Sequence, residues 1–389
     1  MFRLLKHVRT IFIWLFIVLA IDVFTTRYLL PDSINPILSD DQRLRTSSDI
    51  YHHDLKPNVS LSGVEWGSWR YSVNTNSLGF KDREVRDVHL LSERPRLLLI
   101  GDSFTEGVGY PFEETFAGLV SERLSLAGID VLNAGVVSYS PAIYYKKIKH
   151  LYEDVGLRFD QVVVFLDISD IMDEAVYYRL DEAERVVDRD VISIKFEKKV
   201  RKFLERNSMS FATAFRLKRL LRPKPLAKRN PCLARLGEMG GDLAKMDAKW
   251  LAEQVGSDRG GWSVVPRVYE EWGQRGLEVG AKNMSRLAHF LAERGIPMTL
   301  VVYPWPDQIF AGDLKSLQVS HWKNWANLEG VTFINLFPDF VNETAPIDVY
   351  SQSFVPCDVH WNEDGHRLVA DRFLANFPGF SGAIDGGHQ

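Results

Sequence analysis

The 389-residue chain holds only two cysteines, Cys232 and Cys357. That is too few for a disulfide scaffold, although two thiols in an exported protein can pair. Long apolar runs are scarce as well, which excludes a multi-spanning membrane protein. With hydrophobic residues at 46% and charged residues at 25%, wholesale disorder is excluded too, and a folded, mainly soluble body is expected. A large net charge is also missing, at −4, but the balance conceals an asymmetry. Lys195 to Arg229 carries 13 Lys/Arg against Glu197 and Glu205, leaving the remainder acidic.

The single long apolar run lies at the N-terminus. Arg3, Lys6 and Arg9 precede Ile11 to Ile21, and the segment continues through Asp22, Thr25, Thr26 and Arg27 to Leu30 before Pro31. Ile11 to Leu30 meets the roughly 20-residue length of a spanning helix, with Arg27 able to reach the far interface. Basic residues ahead of the run place the N-terminus in the cytoplasm and the body outside it. A cleaved signal peptide is the alternative, with Val18-Leu19-Ala20 around a cleavage point. Either way the chemistry is extracytoplasmic, which disfavours nucleic acid as a partner.

After the anchor, residues 1–30, comes a polar stretch, 31–58, that reads as a stalk. Residues 59–94 form a small strand-rich module in which Trp66 and Trp69 hold it to the body. Arg96 to Ile100, Val131 to Asn133, Val162 to Leu166, Met298 to Tyr303 and Val331 to Leu336 are apolar strands. Helically spaced stretches such as Phe116 to Leu124 and Leu277 to Arg294 alternate with them. Such alternation predicts an α/β domain, 95–176 with 274–380, whose parallel sheet is covered on both faces. Residues 177–273 form a helical, basic insertion, with Phe203, Leu204, Phe211, Phe215 and Leu220 among Arg and Lys. It reads as a solvated cap, or as a contact for anionic headgroups or an acidic polysaccharide.

Ligands of such sheets bind beyond the C-terminal strand ends, where Ser103, Gly135, Asp170 and Trp305 all fall. Gly101-Asp102-Ser103 follows its strand directly and presents an exposed hydroxyl, without the glycine spacing of the Gly-x-Ser-x-Gly elbow. A serine needs a base. Asp358-Val359-His360-Trp361 supplies one near the C-terminus, Asp358 facing the same side of an extended segment as His360. Asp102 and Glu106 read as loop caps. His52-His53 lacks a third ligand and diverges, so neither a metal nor a cofactor is expected.

These blocks, in this order from Arg96 to Phe377, resemble the SGNH/GDSL hydrolase superfamily. The resemblance implies an SGNH-like, flavodoxin-like three-layer sandwich with Ser103, His360 and Asp358 as catalytic residues. It also implies oxyanion donors at Ser103 and Gly135. Where the family has Gly-x-Asn-Asp, this chain reads Asp167-Ile168-Ser169-Asp170, so Ser169 replaces the usual Asn donor and Asp170 is left for the loop or the substrate. The spacing Asp-x-His-Trp is similar to the alginate O-acetyltransferase branch and points to acyl groups on extracytoplasmic saccharides. Trp305 and Trp361 read either as sugar-stacking residues or as packing.

Three functions follow as expectations. The first is a membrane-anchored serine esterase removing acetyl or short acyl groups from a carbohydrate. The second is O-acyl transfer by the same residues, which requires a multi-spanning acyl-donor partner. The third is a non-catalytic saccharide-binding protein of an envelope assembly.

Overall fold

Apolar runs flanked by helices bury both faces of the strands they form, and the central sheet follows that rule. The computed structural model describes residues 2–34, 37–66, 69–189, 200–201, 203–221 and 230–379. In chain order, β1 (Arg45–Ser48) and β2 (His52–Leu55) form a ribbon. β3 (Ser60–Trp66), β4 (Trp69–Thr75) and β5 (Lys81–Asp82) form an antiparallel three-stranded sheet, as expected of the strand-rich module. Then come β6 (Arg96–Gly101), β7 (Asp130–Asn133), β8 (Gln161–Leu166), the ribbon β9 (Tyr178–Leu180) and β10 (Val186–Asp188), β11 (Met298–Val302) and β12 (Thr332–Asn335).

All five expected strands join one parallel sheet in the order β12-β11-β8-β6-β7. Numbered within the sheet, that is the 2-1-3-4-5 order of flavodoxin-like proteins. Every residue of β6, β8 and β11 is buried. The helices Phe116–Ser125 and Glu363–Asn376 pack together, and Pro141–His150 packs on Gln274–Ala292. Right-handed crossovers put these two pairs on opposite faces, giving three layers. Strand order reverses between β6 and β8, so the crevice falls beyond their C-terminal ends, where Gly101-Asp102-Ser103 and Asp167-Ile168-Ser169-Asp170 begin.

Several expectations change. Residues from Thr46 onward belong to the body, not to a stalk. Tyr51 and Leu55 are buried there, and Asp54 Oδ1 accepts a hydrogen bond from the buried Lys147 Nζ at 2.8 Å. The insertion is not one autonomous piece. Residues 226–389 group with 46–189, whereas 190–225 group with 1–45 in a second compact unit. Within the basic run, residues 195–199, 202 and 222–229 lie outside the described residues.

Ile11 to Leu30 is not a single α-helix: the helix Phe2–Phe24 gives way to a π turn at Thr25–Leu29. Among the described residues no helix is long and apolar enough to cross a membrane, so the spanning anchor is unsupported. Polar residues interrupt the run where Asp22 accepts hydrogen bonds from Ser208 and Ser210.

Cys232, in the helix Pro231–Glu238, is joined by a disulfide to Cys357, 125 residues later and next to Asp358. A cross-link over so long a loop restricts the unfolded chain. Replacing both cysteines by serine is expected to cost about 2 to 5 kcal/mol of stability. An unchanged urea midpoint in the double variant would count against the cross-link.

Candidate active site

The nucleophile candidate sits at the first turn after β6. Asp102 caps the short helix Ser103–Glu106, its Oδ1 accepting from Phe104 N at 3.0 Å. Glu106 Oε2 accepts from Val137 N at 2.8 Å, so both carboxylates brace loops as expected. Gly135 lies against the same turn, where a Cβ would come within 2.6 Å of the Thr105 side chain. That contact excludes a larger residue. The Gly135 N–H donates to Asn133 Oδ1 at 3.1 Å, so in this conformation it is engaged within its own loop.

The candidate base arrives from the other end of the chain. Phe354 and Trp361 form a bridge, and Val355 N donates to His360 O at 2.9 Å, closing a tight loop over residues 355–360. The buried Tyr350 hydroxyl accepts from Asp358 N at 3.1 Å inside that loop. Cys357 takes a left-handed φ of 62° and carries the disulfide. The segment is thus a turn, not extended. Asp358 Oδ1 accepts from both His360 N at 3.0 Å and His360 Nδ1 at 2.5 Å. One carboxylate oxygen serving backbone and ring together is how a one-residue spacing suffices.

His360 Nε2 lies 2.8 Å from Ser103 Oγ. Ser103 and His360 are only 7% and 8% exposed, so the pair is buried. Burial pushes Asp358 up, but the hydrogen bond from His360 and its charge outweigh this and leave the carboxyl below its usual value. Asp358 is therefore ionised and holds the imidazole in the tautomer whose Nε2 can take a proton.

Behind Ser103 the carboxylate oxygens of Asp102, Asp167 and Asp170 lie within 4.8 Å of one another. They are the group among the described residues with spacing to hold a cation, yet protein donors already reach all three. Asp167 accepts from Ser169 N at 2.7 Å and Trp305 Nε1 at 2.6 Å. Asp170 accepts from Tyr144 Oη at 2.6 Å and Asp167 N at 3.0 Å. Arg259, paired with Asp173 at 2.6 Å, supplies positive charge nearby. Burial, then repulsion from Asp167, raises Asp102 well above the usual carboxylate range. Asp170 is raised by burial and both neighbours, and burial lifts Asp173 to about 8 despite Arg259. Carboxylates so close cannot all ionise.

Of the two readings open for Trp305, Trp361 and Asp170, the packing or loop one describes their contacts here. Trp361 is fully buried against Phe104, Phe116 and Tyr303. Trp305 is buried with its indole committed to Asp167, and Asp170 bonds the loop and Tyr144. Ser169, also buried, follows β8 at the sheet edge. Trp66 was missed: its ring meets that of His360 edge-on at 5.2 Å, so it borders the candidate base. Aromatic spacing in a strand gives no sign of that, since the two residues lie 294 positions apart. His52 and His53 converge rather than diverge, their Nδ1 atoms 2.7 Å apart, because His52 adopts a φ of 80°. His53 Nε2 is taken by Val137 O at 2.7 Å.

No family model and no curated protein matches the chain. Among solved structures it is similar to the α/β hydrolase LAE5 from the metagenome of Lake Arreo, at 13% identity and a TM-score of 0.37 over 74% of this chain and 96% of that one. A lipolytic G-D-S-L protein of Veillonella parvula shows 13% identity and 0.36 over 72% and 97%. A catalytic mutant of Axe2, an acetylxylan esterase of Geobacillus stearothermophilus, shows 11% and 0.37 over 74% and 96%. At these scores the likenesses decide neither family nor activity.

Ser103 Oγ is also 3.0 Å from Asp102 Oδ2 and has a single proton to give. If Asp102 is the protonated partner, it donates to Ser103 and leaves the serine proton for His360. Asp102→Asn, whose amide can make the same donation, is then expected to keep kcat within about tenfold. Because the native carboxyl holds its proton while the unfolded one releases it, Asp102 loses stabilising effect as pH rises above about 4. The variant should gain urea stability relative to the parent as pH rises from there. A loss beyond a hundredfold with no pH trend would show instead that Asp102 works ionised.

Proposed function

We propose that this chain is an SGNH/GDSL-type serine esterase that removes acetyl or short acyl groups from an extracytoplasmic carbohydrate. The observation that carries the reading is the continuous hydrogen-bonded relay Ser103 Oγ, His360 Nε2, His360 Nδ1, Asp358 Oδ1, at 2.8 and 2.5 Å. Ser103 attacks the ester carbonyl as His360 takes its proton, Asp358 stabilises the imidazolium, and water then resolves the acyl-enzyme.

The N–H of Ser103, at the first turn of its helix, and the Ser169 hydroxyl are the proposed oxyanion donors, with Gly135 joining if its N–H leaves Asn133. Trp66 and Phe104 crowd His360, with ring centroids at 5.2 and 4.8 Å, which favours a small acyl group. The Cys232–Cys357 disulfide supports an oxidising compartment, and the basic flank of the N-terminal apolar segment supports attachment to a membrane. Transfer to a sugar hydroxyl would use the same residues with a multi-spanning donor protein as partner.

On a chromogenic acetyl ester Ser103→Ala should lower kcat by about 10⁶-fold and Asp358→Asn by about 10⁴-fold. Ser169→Ala should cost about 10- to 10³-fold if its hydroxyl stabilises the oxyanion. Acetate release from an acetylated polysaccharide, abolished by Ser103→Ala, supports the esterase. Acylation that needs a sugar acceptor would favour transfer, and saccharide binding without turnover would sink both.

Trp66→Ala is expected to raise activity on longer acyl esters relative to acetyl by about tenfold, since removing the ring opens the approach. An unchanged chain-length profile would remove Trp66 from the acyl site.

A further inference from the structure

The second compact unit joins residues 1–45 to 190–225, and its described part has an unusual surface. In the helix Phe2–Phe24, Trp14, Leu15, Phe16, Val18, Ile21 and Phe24 are all more than half exposed. These residues lie all round the helix rather than along one stripe, a pattern suited to hydrocarbon and not to water. Asp22 is the exception. Its carboxylate is met by the hydroxyls of Ser208 and Ser210, and Met209 N donates to Thr26 Oγ1 at 3.3 Å. The start of the helix Met209–Leu221 is therefore clasped to the apolar helix at its one acidic position.

That second helix is amphipathic in a different way. Ala212 is buried and Phe211 and Phe215 are partly covered, while Met209, Leu217 and Leu221 form an exposed row at four-residue multiples. Arg206 and Lys218 are exposed, within a run holding 13 Lys/Arg and two Glu. We propose that this unit binds an anionic lipid bilayer, the helix Phe2–Phe24 entering the hydrocarbon and the helix Met209–Leu221 lying in the headgroup layer. The apolar row requires acyl chains, which an acidic polysaccharide lacks, and the basic residues require lipid phosphates. The Asp22 clasp couples the two helices and offsets the cost of a carboxylate near hydrocarbon. The inference builds on membrane attachment and is independent of the serine chemistry.

The full chain, transferred from detergent to vesicles, tests it by flotation. Vesicles with about 30% phosphatidylglycerol in phosphatidylcholine should bind at least about tenfold better than phosphatidylcholine alone, with the preference shrinking at about 0.5 M salt. Arg206→Glu with Lys218→Glu should abolish the preference while leaving binding to neutral vesicles. Ser208→Ala with Ser210→Ala should weaken it several-fold by releasing the clasp. Equal binding to both vesicles, a preference untouched by charge reversal, or no binding to either would overturn the proposal. Acetyl-ester turnover in the same samples reports on Ser103 separately, so neither reading falls with the other.

Discussion

A 2.8 Å hydrogen bond between residues 257 positions apart is the constraint around which this fold is arranged. Ser103 is held by β6 and the turn after it, which a buried parallel sheet fixes in place. His360 has no strand or helix of its own. Its loop is positioned instead by the Phe354–Trp361 bridge, the Tyr350 hydroxyl, the Cys357 disulfide and the side chain of Asp358. Each fastening restricts a different part of six residues, and a shift of the ring by an ångström would break the contact with serine. The fully buried Trp361 anchors the loop to the Phe104 and Phe116 rings beneath the site, so loop and nucleophile share one aromatic floor.

Charge is divided across that floor. On one side Asp358, partnered by His360, stays ionised despite burial. On the other, Asp102, Asp167 and Asp170 are crowded together and raised by burial, with repulsion from neighbouring aspartates adding at Asp102 and Asp170. The carboxyl hydrogen-bonded to the imidazole is thus held low, and the carboxyls on the other side of Ser103 are held high. Ser103 lies between the two sets, with His360 as acceptor and Asp102 as the other neighbour. His366 makes the same point for a base: burial, then the charges of Lys81 and His360, depress it to about 3. It remains a neutral packing group whose Nδ1 accepts from Phe116 N at 3.2 Å.

The sheet was legible because strands buried on both faces must be apolar throughout, and short apolar runs such as Leu97 to Ile100 or Val162 to Leu166 read as strands by their length. Ser103 stood out because it directly follows such a strand, and the Asp358–His360 pair because it stands near the C-terminal end in the order of the family that the sequence resembles. Side-chain direction was not. Trp305 and Trp361 occupy the loops where a sugar-stacking residue would stand, yet Asp167 and the Phe104 ring claim them. Nothing local distinguishes the two outcomes. The polar stretch before Asn58 likewise resembles a linker until Lys147, 93 residues away from Asp54, neutralises it inside the body.

The insertion illustrates the same limit and has a structural consequence. Its later part supports the loop after β8: Trp262 is fully buried and donates to Ile168 O at 2.8 Å, and Arg259 pairs with Asp173. Gln308 Nε2, from the segment after β11, donates to Gly260 O at 2.7 Å. The carboxylates beside Ser103 therefore depend on residues inserted between β8 and β11 for charge balance and for backbone support. A region that sequence periodicity presents as an appended cap is, over residues 230–273, part of the wall that lets three buried aspartates coexist behind a serine. Its earlier part, clasped to Asp22, answers to a different surface altogether. One insertion thus contributes to two units because each half completes a polar group that the other segments leave unsatisfied.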